Sequence, residues 1–341
     1  MIRPGPRNLI TDVDGILVGN AEDPAVRSGT TVVLAEQACA ASVDVRGGAP
    51  GTRDTDLLDP TCRVQAIDAV FLSGGSAFGL SAGDGVMKWL RERGRGVPVG
   101  STNVPITPGA ILFDLLNGGD KDWDWPPYRE LGYRATDAAA KTFALGNAGA
   151  GLGARCGHLK GGLGSASAVD PTTGLQVGAI VAVNAVGFAT MGELPHFWAW
   201  ALEQDGEFGG LPPPPRGLGL AVSHTRQMLD LSAAALAAEP LANTTIAVVA
   251  TNARLDKAWC QRLAIMAQDG LARALRPVHT PADGDAVFAL ATGRVAAGDD
   301  PIARAELGTL AADCLARAVA RGVYSAASLG GVPAWRDAHG R

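Results

Sequence analysis

The stretch Leu241-Ala242-Asn243-Thr244-Thr245-Ile246-Ala247-Val248-Val249-Ala250-Thr251-Asn252 sets a pair of threonines at the head of an apolar run. A threonine hydroxyl is a poor nucleophile until a base takes its proton. At a chain terminus its own α-amine can be that base, because the amine titrates near neutrality, at about 7.7–8.0. Such chemistry at Thr244 first requires a cut between Asn243 and Thr244, and the same hydroxyl can make it. It attacks the Asn243 carbonyl, the preceding chain moves onto an ester, and water releases it. There is an ordinary alternative. Threonine is common in strands and asparagine in the turns before them, and on local sequence alone this alternative is the more economical.

Other candidate motifs are weaker. Ser73-Gly74-Gly75-Ser76-Ala77-Phe78-Gly79 follows an apolar run and precedes a helical pattern, so its backbone N–H groups suit an anion. It lacks the Lys-Ser/Thr ending of a phosphate-binding loop and the full dinucleotide spacing. Asn147-Ala148-Gly149-Ala150-Gly151-Leu152-Gly153 is similar. Close packing or oxyanion stabilisation explains both loops more simply. There is no Gly-x-Ser-x-Gly elbow. His158, His196, His224, His279 and His339 form no metalloprotease pattern and read as surface or structural residues. Cys39, Cys62, Cys156, Cys260 and Cys314 are odd in number, sit at neither metal-ligand nor redox spacing, and read as small buried hydrophobes. No metal or organic cofactor is implied.

The elements that must position these residues follow from patterning. The 341 residues are 47% hydrophobic, 18% charged and 5% aromatic, which implies a large core built from small apolar side chains. The net charge of −5, with no basic patch, excludes a nucleic-acid footprint. No apolar run reaches membrane-spanning length, and the N-terminus lacks a signal-peptide core, so a soluble, cytoplasmic protein is expected. Short apolar runs at Thr30–Ala35, Ala69–Leu72, Ala179–Asn184, Thr245–Ala250 and Ala286–Ala291 predict buried strands. Helices are expected over Gly79–Arg93, Ala135–Leu145, Lys257–Leu275 and Ile302–Arg321, with Asp256 as an N-cap of the third. Asn117–Tyr128, the Gly-rich Gly146–Ser167 and Asp205–Gly219 read as irregular, and the run Pro212–Pro215 is expected to open an extended, mobile segment towards Asn243. The alternation argues for a layered α/β architecture.

Along nearly its whole length the chain resembles the DmpA-type aminopeptidases, the L-aminopeptidase/D-esterase family that also holds β-aminopeptidases and nylon-oligomer endo-hydrolases. The resemblance runs through Leu9–Gly19, Asp44–Gly48, Leu72–Leu80, Val104-Pro105-Ile106, Ile111–Leu115, Gly149-Ala150-Gly151, Leu159–Gly162, Val183–Gly187, Asn243–Ile246 and Asp283-Gly284-Asp285. It implies a four-layer αββα sandwich, akin to the N-terminal-nucleophile hydrolases but with different connectivity. It further implies autocleavage of one 1–341 domain into an α chain, 1–243, and a β chain, 244–341, and assembly into homo-oligomers, tetramers or larger.

The resemblance assigns roles position by position. Thr244 matches the nucleophile, which is serine in many members and threonine in the nylon-oligomer hydrolases. Lys160 matches a catalytic-site lysine, Asn184 the amide that donates to the oxyanion, and Asp283 and Asp285 a pair that contacts the terminal amine and the nucleophile. Gly75, Ser76 and Phe78 fall at the substrate-binding loop. Several members carry Tyr where Phe78 stands, and Phe has no hydroxyl to give the oxyanion. Local sequence alone also reads Lys160 as a surface residue and Asp283-Gly284-Asp285 as a turn. The expected substrates are short peptides, β-peptides, or amino-acid amides and esters, with linear ω-amino-acid oligomers cleaved internally as the alternative. An acyltransferase of the ornithine acetyltransferase kind and an unprocessed binding protein are the remaining readings.

Overall fold

The computed structural model describes residues 1–217, 243–298 and 300–340. Its strands are β1 (Ile16–Asp23), β2 (Ser28–Val45), β3 (Thr52–Arg53), β4 (Ile67–Ser73), β5 (Val97–Val99), β6 (Thr102–Val104), β7 (Gly109–Ile111), β8 (Arg155–Cys156), β9 (Leu159–Lys160), β10 (Gly162–Val169), β11 (Gln176–Asn184), β12 (Thr244–Ala253) and β13 (Ala286–Val295). The helices are α1 (Ala82–Glu92), α2 (Tyr128–Asp137), α3 (Lys257–Ala274), α4 (Pro301–Tyr324) and the single turn α5 (Trp335–Ala338).

The main strand path runs β10-β11-β12-β13-β2-β4-β7-β3, with β1 beside β2. The long β2 serves two layers. Its Thr30–Leu34 half pairs with β1 and β4, and its Ala40–Val45 half pairs with β13. Three apolar clusters fill the gaps between layers. One lies between α3/α4 and the sheet containing β10–β13, one lies between the two sheet halves, and one lies under α1 and α2. Side-chain alternation along β12 produces the first two, because successive residues of a strand point to opposite faces. Ala247 and Val249 face the helices, whereas Ile246, Val248 and Ala250 face the other sheet. Complete burial of side chains such as Ile246, Val248 and Phe288 stabilises the fold by roughly 1.5–3 kcal/mol each. The layering is the expected αββα sandwich.

Helix α3 starts where expected, with the Asp256 side chain accepting from Trp259 N–H at 2.8 Å. Two expectations fail. The helix placed over Ala135–Leu145 runs instead over Tyr128–Asp137, and beyond it Ala140 exchanges backbone bonds of 3.0 Å with Val18. Pro127 starts that helix, and Gly132 lies within it because a Cβ there would meet Ala82 O at 2.1 Å, a crossing too close for any side chain. The second failure is Gly146–Ser167, whose latter part is strand β10. Its glycines let α4 lie directly on the sheet, since a Cβ on Gly164 would meet Ala318 O at 1.9 Å.

Residues 205–217 form turns and coil, as expected, and the extended segment anticipated towards Asn243 lies outside the described residues. Cys39, Cys156, Cys260 and Cys314 are buried, and Cys62 is half-buried. Burial pushes the Cys39, Cys156 and Cys314 thiols up to about 12. Among the described residues, no helix is long and apolar enough to cross a membrane, and no group of three or more His, Cys, Asp or Glu could hold a metal ion.

Candidate active site

Thr244 opens β12 in the middle of the sheet and stands opposite Asn184, the last residue of β11. Both are buried, at 3% and 2% exposure. The Thr244 hydroxyl donates to the carbonyl oxygen of Asn243, the residue before it, and accepts from Gly284 N–H at 3.1 Å. That same N–H lies 3.2 Å from the Asn243 carbonyl oxygen. A hydroxyl, a carbonyl and an N–H donor thus meet at the Asn243–Thr244 peptide bond. Gly284 has to be glycine: a Cβ there would lie 2.6 Å from Ala49 O and 2.8 Å from Thr244 Oγ1.

The Asp283-Gly284-Asp285 segment leads into β13 and bridges Asn243 through Asp283. The Asp285 carboxylate accepts from Thr245 N–H at 2.7 Å and from His279 N–H at 3.1 Å, and lies 2.8 Å from His279 Nδ1. Asp283 accepts from Val186 N–H at 3.1 Å, from Thr280 N–H at 3.2 Å and from the Thr280 hydroxyl. Burial, reinforced by the charge of Asp285, pushes the Asp283 carboxyl above the usual range. The Asp285 carboxylate thus holds the Thr245 backbone and the Asp283 carboxylate the Val186 and Thr280 backbone, and neither bonds the Thr244 hydroxyl.

The Asn184 side chain is fixed at both ends. Its oxygen accepts from Arg155 N–H at 2.9 Å, and its nitrogen donates to Phe113 O at 3.0 Å. An amide nitrogen carries two hydrogens, so one remains for another acceptor. Lys160 is buried, at 2% exposure, in the small β8–β9 hairpin. Its Nζ donates to Gly151 O and Gly161 O, both at 2.9 Å. Burial pushes the ammonium down to about 7, against the opposing pull of Asp114. Asp114 is itself fully enclosed, and burial raises its carboxyl above the usual range.

Asn184, Lys160, Asp114 and Asn243 all line one cavity of about 530 Å³, whose wall also includes Leu329–Pro333. Gly75, Ser76 and Phe78 do not line it. The Gly75 loop spends its N–H groups inward: Gly74 on Gly29 O at 2.9 Å, Gly75 on Asp114 Oδ1 at 2.7 Å and Ser76 on Leu112 O at 2.9 Å. Gly75 has φ 86°, and a Cβ there would strike the Tyr128 ring at 2.1 Å. The open anion cradle suggested by the glycine spacing is thus a packed turn around a buried carboxylate. Phe78, 51% exposed, meets the edge of Trp123 at 6.1 Å.

Sequence reasoning missed His279, Asp114 and Gly284. The polar residues His279, Thr280 and Asp283, close together between α3 and β13, were the available sign for the first. The others are defined by contacts distant in sequence.

The αββα sandwich is of the N-terminal-nucleophile hydrolase fold type. Two solved structures share it: an L-aminopeptidase D-Ala-esterase/amidase from Ochrobactrum anthropi (TM-score 0.69, 22% identity, 97% of this chain and 90% of that one) and a β-aminopeptidase from Burkholderia sp. (TM-score 0.70, 21% identity, 99% and 93%). The chain belongs to Peptidase family S58, whose profile matches residues 8–335. An uncharacterized aminopeptidase of Mycobacterium tuberculosis is 46% identical over 350 aligned positions, covering 97% of each chain. A 6-aminohexanoate-oligomer endohydrolase of Kocuria sp. is 26% identical, covering 85% of this chain and 77% of that one. The protein is a hydrolase of peptide or amide bonds.

Proposed function

We propose that the chain cuts itself between Asn243 and Thr244, into pieces of residues 1–243 and 244–341, and that the new N-terminal Thr244 then hydrolyses amide bonds in short peptides, β-peptides or amino-acid amides and esters. The observation that carries this is the contact of the Thr244 hydroxyl with the Asn243 carbonyl oxygen under the Gly284 N–H. In the first step Thr244 Oγ bonds to the Asn243 carbonyl carbon and gives up its proton. Gly284 N–H stabilises the oxyanion, the C–N bond breaks, and the departing nitrogen takes a proton to become the α-amine. Water then cleaves the ester, leaving an Asn243 carboxylate and a free Thr244 hydroxyl.

In turnover the α-amine takes the hydroxyl proton, and the spare Asn184 hydrogen meets the substrate oxyanion. Lys160, near half-neutral at pH 7, exchanges protons beside them, while Asp285 holds the Thr245 backbone and Asp283 the Val186 turn. Ser76 steadies the cavity wall through Leu112, next to Phe113, whereas Phe78 stands off that wall against Trp123. A homo-oligomer, tetramer or larger, would cover Leu116 and Trp125, which are 67% and 86% exposed. Internal cleavage of ω-amino-acid oligomers is a second reading, favoured by the Kocuria relative.

The test is a denaturing gel with N-terminal sequencing. Wild-type protein should give two bands, the smaller beginning Thr-Thr-Ile, and Thr244→Ala should stay whole and inactive. An active wild-type enzyme that remains one band overturns the reading.

A further inference from the structure

We propose that Arg155, on the wall of the cavity shared by Asn184 and Lys160, receives a carboxylate of the substrate. This rests on the reading of that cavity as the substrate site. Arg155 stands opposite Lys160 in the β8–β9 hairpin, and its backbone N–H is the group that orients the Asn184 amide. Its side chain is exposed, with Nε held by Gly157 O at 2.8 Å. That bond anchors the guanidinium at its base. The two terminal nitrogens, with four N–H donors, have no hydrogen-bond or ion-pair partner among the described residues.

The other titratable side chains of the wall are Asp114, His158 and Lys160. Asp114 is committed to the Ser28 hydroxyl and Gly75 N–H, and burial drives it towards its neutral form. Burial likewise drives Lys160 and His158 away from their charged forms, with Glu193 opposing this for His158. A guanidinium stays charged at any ordinary pH, and its planar fork matches two carboxylate oxygens. An ammonium group finds no uncommitted carboxylate among the described wall residues. The carboxylate can belong to the acyl part of the substrate or to its leaving group, and both present the same chemistry to Arg155.

Two matched substrate pairs separate these sources. Glutaryl p-nitroanilide against its terminal carboxamide places the carboxylate on the acyl side. Alanyl-alanine against alanyl-alaninamide places it on the leaving side. In at least one pair the carboxylate form should show a kcat/KM advantage of about tenfold, the size of one charge-assisted contact at a partly exposed site. Arg155→Gln should remove that advantage chiefly through KM, Arg155→Lys should restore part of it, and Arg155→Glu should reverse it. No advantage in either pair, or an advantage that survives Arg155→Gln, overturns the proposal.

Turnover of any of the four substrates by protein beginning Thr-Thr-Ile upholds the hydrolase reading separately. Should none be turned over, ligand-observed NMR with glutarate still decides. Binding lost in Arg155→Gln supports the carboxylate site, whereas equal or absent binding in wild type and variant sinks it.

Discussion

Lys160 should leave a signature in stability as a function of pH. Its ammonium is buried, bonds only main-chain oxygens, and is pushed down from 10.5 to about 7. In the unfolded chain it titrates at about 10.4. Between these values the unfolded state holds the proton and the folded state releases it, so stability rises with pH across that window. Below pH 7 both states hold the proton and the full penalty of a buried charge is present. Linkage over these two values gives a gain of about 3 kcal/mol between pH 6 and pH 9. Lys160→Met removes the titrating group and with it this gain, although Gly151 O and Gly161 O then lose a donor. That loss shifts the whole curve without changing its slope, which makes the slope the quantity to measure. Thr244→Ala should keep both proteins in one piece, so that their unfolding does not depend on two pieces reassociating. Urea titrations of Thr244→Ala and Thr244→Ala/Lys160→Met at pH 6, 7, 8 and 9, followed by tryptophan fluorescence, give the two curves. Parallel curves, within about 0.5 kcal/mol, would refute the burial argument and with it a lysine that is half-neutral at pH 7.

Asn184→Ala removes a pre-oriented donor and should lower kcat by about 10²–10³, measured on whichever amide the wild type turns over; a loss below tenfold counts against the oxyanion role. Gly284→Ala puts a methyl group 2.6 Å from Ala49 O and 2.8 Å from Thr244 Oγ1. It should leave a lasting fraction of uncut chain on a gel, and cleavage at the wild-type rate would contradict the proposed role of Gly284 N–H at the Asn243 carbonyl.

Strands such as β4, β11 and β12 were legible because they are short apolar runs between turn residues. Helix α3 was legible from its Asp256 cap. What misled was glycine. Gly146–Ser167 reads as loop, yet there, as at Gly132, two backbones touch, and what they touch is far away in the chain. The candidate site shows the same division. Asn184, Asp283 and Lys160 could be nominated only by a resemblance of ordered motifs, since each alone is a turn or surface residue, and Thr244, whose chemistry could be argued from the residue, read more economically as an ordinary strand start. Strand register then brings Asn184 opposite Thr244 and Asp283 beside Asn243. His279 gave only a faint signal and Asp114 none, because their meaning lies in what they hold, Asp285 for one and Ser28 with the Gly75 turn for the other.

The order of the sheet has a consequence for the life of the molecule. β12 and β13, both from the segment after Asn243, are wedged between β11 and β2, both from the segment before it. A nick at Asn243 would leave the halves interlocked, with the fresh terminus still pinned opposite Asn184. Since Thr244 meets Gly284 only once β12 and β13 lie side by side, cutting would act as a certificate that the sheet is complete. It would also work as a one-way gate. An intact chain can refold as a single body, whereas a nicked one that comes apart must find its other half in solution, so processed protein should survive by unfolding slowly and not by refolding well.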